Sequence, residues 1–354
     1  MNLFTCQNCG QLVYFENVRC ERCSLPLGYL SPTATLSALE PEGKAWRALA
    51  FPGAVWRFCA NAERGACNWL VPNDMPDAYC AACRHNRTIP DLSVPGNEAA
   101  WRKLEHAKHR LFYSLLRLQL PLVTRAEDRE HGLAFDFLAD PTNAGDHARV
   151  LTGHDNGLIT LAVAEADDAE RERRRVGMGE PYRTLLGHFR HEVGHYYWDR
   201  LVRDGGRIEA CRAMFGNEEK DYGQALRVHY DQGAPADWQD RFISAYASSH
   251  PWEDFAETWA HYLHIVDTLE MAGAFGLRLG PEGAEHRGLA ARIDFDPYAA
   301  VDIGRIIAAW LPLTSALNNL NRCMGEPDLY PFVLSPTVIN KLGFVHDLIQ
   351  AQHR

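Results

Sequence analysis

Apolar residues recur at helical spacing in two long stretches of the chain, and each stretch predicts an amphipathic helix. The first runs from Glu98 to about Leu118 and the second from Tyr182 to Val202, where Pro181 suits the first turn. Apolar positions of the first stretch are Trp101, Leu104, Leu111, Leu115 and Leu118; those of the second are Leu185, Leu186, Phe189, Val193, Tyr196, Tyr197 and Leu201.

Strand patterns lie between these two helices. Residues 132–138 alternate between apolar and polar side chains, as a half-buried strand does. Residues 150–163 contain two short apolar runs on either side of Asn156-Gly157, the preferred dipeptide of a type I′ turn. The second segment is therefore predicted to be a β-hairpin.

Composition and charge exclude several classes of protein. Apolar residues make up 46% of the 354 residues and charged residues 23%, which is the profile of a packed globular chain. The formal net charge of −10 argues against a protein that coats nucleic acid, because such domains present a basic face to the phosphates. The one dense basic run, Arg171 to Arg175, is interleaved with acidic residues and predicts a solvated helix or loop.

No segment of the sequence has the pattern that directs a chain into or across a membrane. No apolar stretch approaches the roughly 20 residues needed to span a bilayer. The first residues, MNLFTCQNCG, have neither the basic start nor the apolar core of a signal peptide. We therefore expect a cytoplasmic protein with no membrane partner, in which thiols stay reduced and cysteine clusters bind metal.

Near the N-terminus, two CxxC pairs are separated by a short loop. Their cysteines are Cys6, Cys9, Cys20 and Cys23. Two such pairs hold one Zn²⁺ in a tetrahedron of thiolates, and metal binding supplies folding energy to a segment too short for its own core. A redox CxxC would instead stand alone beside a βαβ pattern. The spacing therefore predicts a structural zinc ribbon.

A second set of cysteines has one CxxC pair and one wider pair, and it predicts a second four-thiolate zinc site. Its members are Cys59, Cys67, Cys80 and Cys83, with Trp56, Phe58, Trp69 and Leu70 as expected apolar cover. Residues 24–43, between the two sets, are rich in Ser, Pro and Gly and are predicted to be a linker or an extended wrap. Residues 87–98 are predicted to close the module in the same way. Cys211 and Cys323 are expected to be buried as small hydrophobic residues.

The predicted helix at residues 182–202 carries the segment HEVGH at 191–195. His191 and His195 lie one turn apart on one side of a helix, so both imidazoles can reach the same Zn²⁺. Glu192 then stands beside the metal without binding it, where a general base takes a proton from zinc-activated water. Gly194 leaves room for another helix to pack closely. These residues predict the catalytic metal site of a peptidase.

A catalytic zinc of this type needs a third protein ligand and an open fourth position. The histidine that metzincins place six residues after the second ligand is excluded, because position 201 is Leu. The better candidate is Glu253 in SAYASSHPWEDFAETWAHYLHI, where Pro251 can start a helix. Glu257, one turn later, would then accept the second N–H of a ligating histidine.

Alternatives to this ligand set stay open at the level of the sequence. Asp254, Glu257 and His261 are rival third ligands. Tyr246 precedes Glu253 by seven residues and is a candidate to stabilise the oxyanion of a tetrahedral intermediate.

With these motifs the chain resembles, nearly end to end, a bacterial family of zinc-binding metallopeptidases that carry an N-terminal zinc-ribbon domain. The resemblance is carried by CQNCG with CERC, by CAACRHNRTIP, by YRTLLGHFRHEVGHYYWDRL and by HPWEDFAETWAHYLHIVDTLE. The EDFAETW segment is also similar to the EFFAEAF segment of lethal-factor-like gluzincins, in which the first Glu binds zinc and a Tyr seven residues earlier assists catalysis. That similarity implies these roles for Glu253 and Tyr246, and a supporting role behind the ligands for Glu257.

Together these observations predict an α+β fold, with a zincin-like catalytic domain between a zinc-ribbon module and a helical C-terminal region. The expected divisions are a zinc ribbon at 1–30, a second cysteine-rich zinc-binding segment at 50–95, the metallopeptidase domain at 98–285 and the helical region at 286–354. Strand 157–163 is expected to edge a small sheet above the active helix, where a peptide adds as an antiparallel strand. Helices are expected at 303–320 and 339–349.

The predicted function is hydrolysis of peptide bonds in a peptide or protein substrate, with one catalytic zinc and one or two structural zincs. Two alternatives are a protease that its ribbons guide to nucleic acid, as in SprT-like proteins, and a non-catalytic adaptor whose ribbons bind protein or nucleic acid. The acidic charge argues against the first alternative. Glu192 argues against the second, because a purely structural zinc needs no base beside it.

Overall fold

The structure is a computed structural model that describes residues 2–140, 150, 152–177, 183–282 and 288–353. The chain divides into two compact units, Met1–Glu170 and Arg171–Arg354. The first unit contains β1 (Phe4–Thr5), β2 (Leu12–Val13), β3 (Leu27–Leu30), β4 (Thr35–Glu42), β5 (Ala45–Ala48), β6 (Val55–Phe58), β7 (Leu70–Pro72), β8 (Asn86–Thr88), α1 (Asn97–Arg117), β9 (Ala134–Leu138), β10 (Gly153–Asp155) and β11 (Leu158–Ala162).

Helix α2 (Asp168–Gly177) spans the division between the units and contains the basic run, as predicted. The second unit is mainly helical. It contains α3 (Leu185–Tyr197), α4 (Ile208–Phe215), α5 (Tyr222–Gln232), α6 (Trp238–Arg241), α7 (Pro251–Ala274), β12 (Arg278–Leu279), β13 (Ala291–Arg292), α8 (Ile303–Cys323) and α9 (Pro336–Gln350).

Of the linker or extended wrap predicted at residues 24–43, the linker is wrong, because this segment forms two paired strands of an antiparallel sheet with the order β3-β4-β5-β6-β7. Gly28 in β3 lies against Leu70, where a β-carbon would come within 2.6 Å of that side chain. Pro41 is tolerated because it lies in the part of β4 that pairs only with β5. Leu30, Leu39, Ala48, Trp56 and Leu70 form the core that holds this sheet together.

A second sheet has the order β10-β11-β9-β8, and it contains the predicted strand and hairpin. Asn156 and Gly157 both have positive φ, 45° and 82°, as a type I′ turn requires. Leu151, at the start of the predicted hairpin, lies outside the described residues. The edge position expected for strand 157–163 is wrong, because β11 pairs with β10 on one side and with β9 on the other.

Helix α1 confirms the helix predicted at residues 98–118. The 87–98 segment is only partly a linker, since Asn86–Thr88 form β8 and pair with β9 before α1 begins.

In the second unit, α3 confirms most of the helix predicted at residues 182–202. It begins at Leu185, where the Thr184 hydroxyl accepts a hydrogen bond from the Gly187 amide at 3.0 Å, and it continues as a π-helical turn over Trp198–Arg203. Pro181 and Tyr182 lie outside the described residues.

Helix α7 begins at Pro251, as predicted, and the two C-terminal helices predicted from sequence lie within α8 and α9. Cys211 is buried as expected, but Cys323 is exposed, because it is the last residue of α8 and faces away from the core. Among the described residues, no helix combines the length and the apolar character that crossing a membrane would require.

Candidate metal centres

Two helices of the second unit, α3 and α7, pack side by side and present three ligand-type side chains to one another. The rings of His191 and His195 lie one turn apart on α3, with centroids 4.9 Å from each other. Glu253 lies in the first turn of α7. Gly194 permits this close packing, since a β-carbon there would lie 3.0 Å from the Cα of Ala256.

The ligand atoms of these three residues converge on one point. Glu253 Oε2 lies 3.0 Å from His191 Nε2 and 3.6 Å from His195 Nε2. This oxygen is buried, and no described residue donates a hydrogen bond of acceptable geometry to it. One carboxylate oxygen and two imidazole nitrogens are ligand types that zinc accepts, and a cation between the three atoms would satisfy all of them.

A second carboxylate orients one of the two imidazoles. His191 Nδ1 donates to Glu257 Oε1 at 2.7 Å, and the Ser244 hydroxyl donates to Glu257 Oε2 at 2.6 Å. Burial disfavours the charged carboxylate, but the His191 hydrogen bond and charge outweigh it and lower the pKa of Glu257 to about 2. Glu257 is therefore anionic at neutral pH, and because it holds Nδ1 of His191, the Nε2 of that ring is directed at Glu253 Oε2.

Two tyrosines stand near Glu253. The Tyr222 hydroxyl donates to Glu253 Oε1 at 2.7 Å, and the Tyr246 ring lies 5.9 Å from the His191 ring. Burial and the charge of Glu253 raise the pKa of both phenols, and Glu192 adds to the effect. Both tyrosines are therefore protonated hydrogen-bond donors at neutral pH. Glu192 itself is buried beside them.

Of the rival ligands, Asp254 and His261 point elsewhere. Asp254 Oδ2 accepts a hydrogen bond from Lys341 at 2.6 Å, and burial raises the pKa of this carboxyl to about 7 although Lys341 opposes the rise. His261 Nδ1 is hydrogen-bonded to the Tyr330 hydroxyl at 2.7 Å. Neither belongs to the group formed by His191, His195 and Glu253.

Three partners in this network were missed in the sequence. Tyr222 lies at the start of α5 and bonds to Glu253, and Ser244 lies before α7 and bonds to Glu257. Lys341 lies on α9 and bonds to Asp254. None lies at a fixed spacing from the HEVGH segment, so no sequence signal marks them.

The cysteines of the first unit gather into the two predicted sets. In the first set, Cys6 Sγ lies 3.6 Å from Cys23 Sγ, and Cys9 Sγ lies 3.5 Å from Cys20 Sγ. These separations approach the about 3.8 Å expected between thiolates that share one tetrahedral zinc. Gly10 has the positive φ of 74° that the turn after the first pair requires.

All sulfurs of the second cysteine set are buried, and Cys67 Sγ lies 3.8 Å from Cys80 Sγ. Of the expected apolar cover, Trp69 packs beside this set through His109, while Trp56 and Leu70 belong to the core of the five-stranded sheet. Both donor sets suit a structural zinc, since each offers four thiols and no carboxylate among its members.

Two family models match the two parts of the chain that contain these candidate sites. A family model described as "Putative zinc-binding metallo-peptidase" matches residues 97–348, and one described as "zinc-ribbon domain" matches residues 3–94. Proteins of Mycobacterium bovis and Mycobacterium tuberculosis, each described as uncharacterized, are 41% identical to this chain over 350 residues. The alignments cover 99% of this chain and 95% of each relative. No solved structure matches the chain.

Proposed function

The chain belongs to the zinc-binding metallo-peptidase family whose model matches residues 97–348, and from this premise we propose that it is a zinc-dependent peptidase with a zincin-like catalytic region. His191, His195 and Glu253 are the proposed ligands of the catalytic zinc. The observation that carries the proposal is the buried Glu253 Oε2, which lies 3.0 Å and 3.6 Å from the two imidazole nitrogens.

Zinc held by these ligands would supply a Lewis acid that polarises the substrate carbonyl and makes water more acidic. Glu192 follows His191 directly on α3 and is buried near Tyr222 and Tyr246. In the proposed mechanism its carboxylate takes a proton from the attacking water and then passes that proton to the leaving amine.

The two tyrosines have different proposed roles. Tyr246, which stands beside the His191 ring, donates a hydrogen bond to the oxyanion that develops on the scissile carbonyl. Tyr222 holds Glu253 in place through its bond to Oε1, and this leaves Oε2 directed at the imidazoles. Glu257, which Ser244 holds in turn, keeps the His191 ring oriented.

The proposed substrate is a peptide or protein. The residues proposed to hold structural zinc are Cys6, Cys9, Cys20, Cys23, Cys59, Cys67, Cys80 and Cys83. The proposed domain divisions are the ones expected from the sequence, with the ribbon at 1–30, the second zinc-binding segment at 50–95, the peptidase domain at 98–285 and the helical region at 286–354.

The test is hydrolysis of a mixed peptide library by the zinc-loaded chain and by Glu192→Gln. We expect the variant to keep its zinc and to lose peptide cleavage by at least about 100-fold, because its amide cannot act as a base. Glu326→Gln, at an exposed position, is the matched control and should cleave like the wild type. Equal cleavage by wild type and Glu192→Gln would refute the role of Glu192. If neither cleaves any peptide although both bind zinc, the result contradicts peptide cleavage and favours the adaptor alternative.

A further inference from the structure

A histidine from α1 stands against the second cysteine set. His109 Nε2 lies 3.2 Å from Cys67 Sγ, 3.6 Å from Cys83 Sγ and 3.9 Å from Cys80 Sγ. His109 is only 4% exposed. It lies within the segment that matches the peptidase family model, whereas all four cysteines lie within the zinc-ribbon match.

The hydrogen bonding of His109 fixes which ring nitrogen has a lone pair. Nδ1 lies 2.6 Å from the backbone carbonyl of Glu105, and a carbonyl oxygen can only accept, so Nδ1 carries the proton. In the neutral ring, Nε2 therefore carries no proton, and it faces the sulfurs as a possible metal ligand. Zinc-binding histidines are oriented in this way, with the second ring N–H donated to a carbonyl or a carboxylate.

The distances match those between ligands of one tetrahedral zinc. With Zn–S bonds of about 2.3 Å and Zn–N bonds of about 2.05 Å, a nitrogen and a sulfur ligand are about 3.5 Å apart and two sulfurs about 3.8 Å apart. The observed N···S distances of 3.2, 3.6 and 3.9 Å bracket the first value, and the 3.8 Å between Cys67 and Cys80 equals the second. Nε2 lies closest to Cys67 Sγ and within 3.9 Å of two further sulfurs, as a ligand of the same metal would.

Cys59 is the member of the set that His109 does not touch in the described structure. The four sulfurs lie within 4.8 Å of one another, and a group that approaches three corners of a tetrahedron but not the fourth lies over the face opposite that corner. Cys59 and His109 therefore lie on opposite sides of the plane of Cys67, Cys80 and Cys83. A tetrahedral zinc bound to these three sulfurs lies about 0.8 Å from their plane. If it lies on one side of the plane it binds Cys59, and if it lies on the other side it binds His109.

The neighbouring carboxylate of Glu105 can form a ligand group with Cys83 and His109, but it contacts one sulfur of the set where His109 contacts three. Glu105 Oε1 already accepts hydrogen bonds from Lys108 at 2.9 Å and from Asn86 at 2.6 Å. Its other oxygen lies 3.7 Å from Cys83 Sγ.

We propose that His109 is a fifth donor of the second cysteine site and binds zinc together with Cys67, Cys80 and Cys83 whenever Cys59 is not bound. In this exchange the bond from zinc to Cys59 Sγ breaks, and the lone pair of His109 Nε2 forms the new bond. Cys59 leaves with its electron pair and takes up one proton from water, and no group is oxidised. The zinc then joins the ribbon directly to α1.

Zinc content of the full-length chain tests the proposal through a double substitution. Cys59→Ser is expected to keep the zinc-to-chain ratio of the wild type, because His109 replaces the lost thiolate. Cys59→Ser with His109→Ala is expected to lose one zinc per chain, as Cys67→Ser does alone. His109→Ala alone should keep the zinc through Cys59. The matched control is Cys59→Ser with His106→Ala, which removes an exposed histidine of the same helix and should keep the zinc.

Two results would overturn the proposal: loss of one zinc per chain by Cys59→Ser alone, or retention of that zinc by the double variant. A second measurement does not depend on how well the double variant folds. In Cys59→Ser loaded with cadmium-113 and labelled with nitrogen-15 histidine, we expect a one-bond coupling between the metal and Nε2 of His109. Absence of that coupling would show that His109 only stands beside the thiolates.

Discussion

The contact between Glu257 and His191 leads to a quantitative prediction. Glu257→Gln removes the charge that accepts the His191 Nδ1–H at 2.7 Å, while the volume of the side chain is conserved. Loss of such a partner behind a ligating histidine weakens metal binding by about 10- to 100-fold, or about 1.4 to 2.7 kcal/mol. The dissociation constant of the zinc held by His191, His195 and Glu253 is measured by competition with a chelator of known affinity.

Two further variants define the scale of this effect. Glu253→Gln removes a proposed ligand and should abolish binding at this site, whereas Ser244→Ala, which removes only the hydroxyl donor to Glu257, should weaken zinc binding by less than Glu257→Gln does. With zinc saturating, Glu257→Gln should recover most of its peptidase activity. An unchanged dissociation constant for Glu257→Gln would refute the assigned role, and so would a loss as complete as that of Glu253→Gln.

Three predictions concern the framework around the site. Gly194→Ala should lower the free energy of unfolding in urea by about 1–3 kcal/mol although alanine favours helices, because the new β-carbon lies 3.0 Å from the backbone of α7; equal or higher stability would contradict this close packing. Lys341→Met should cost about 3–5 kcal/mol in the same assay, because it leaves the buried Asp254 without its partner, and adding Asp254→Leu should restore part of the loss. Burial lowers the pKa of His261 to about 4, so below pH 6.5 the unfolded chain binds a proton that the folded chain excludes. The wild type should therefore lose up to about 3 kcal/mol more than His261→Gln between pH 6.5 and pH 4, and parallel losses in the two proteins would count against this burial.

Sequence was informative where the chemistry depends on local spacing. His191 and His195 are one helical turn apart, and the same is true of Glu253 and Glu257, so each pair could be placed on one helix face before its partner helix was known. The first cysteine set follows the same logic, because two CxxC pairs specify their own geometry, and the second set shares one such pair.

Sequence was uninformative where a contact joins elements that are far apart in the chain. Tyr222, the first residue of α5, meets Glu253 in the first turn of α7. His109 reaches the second cysteine set from a helix with no spacing relation to it. The 24–43 segment was misjudged for a different reason. Its Ser, Pro and Gly content suggested a linker, but burial of Leu36, Ala38 and Leu39 in a sheet outweighs these local preferences.

The central claim is that a metal ion lies between His191, His195 and Glu253, with Glu192 beside it and no fourth protein ligand. Anomalous diffraction from a crystal at the zinc absorption edge tests this claim most directly. The account predicts a zinc peak about 2.0–2.2 Å from His191 Nε2, His195 Nε2 and Glu253 Oε2, with solvent in the remaining position. A zinc-loaded crystal with no peak between these residues, or with a fourth side chain bound to the ion, would contradict it.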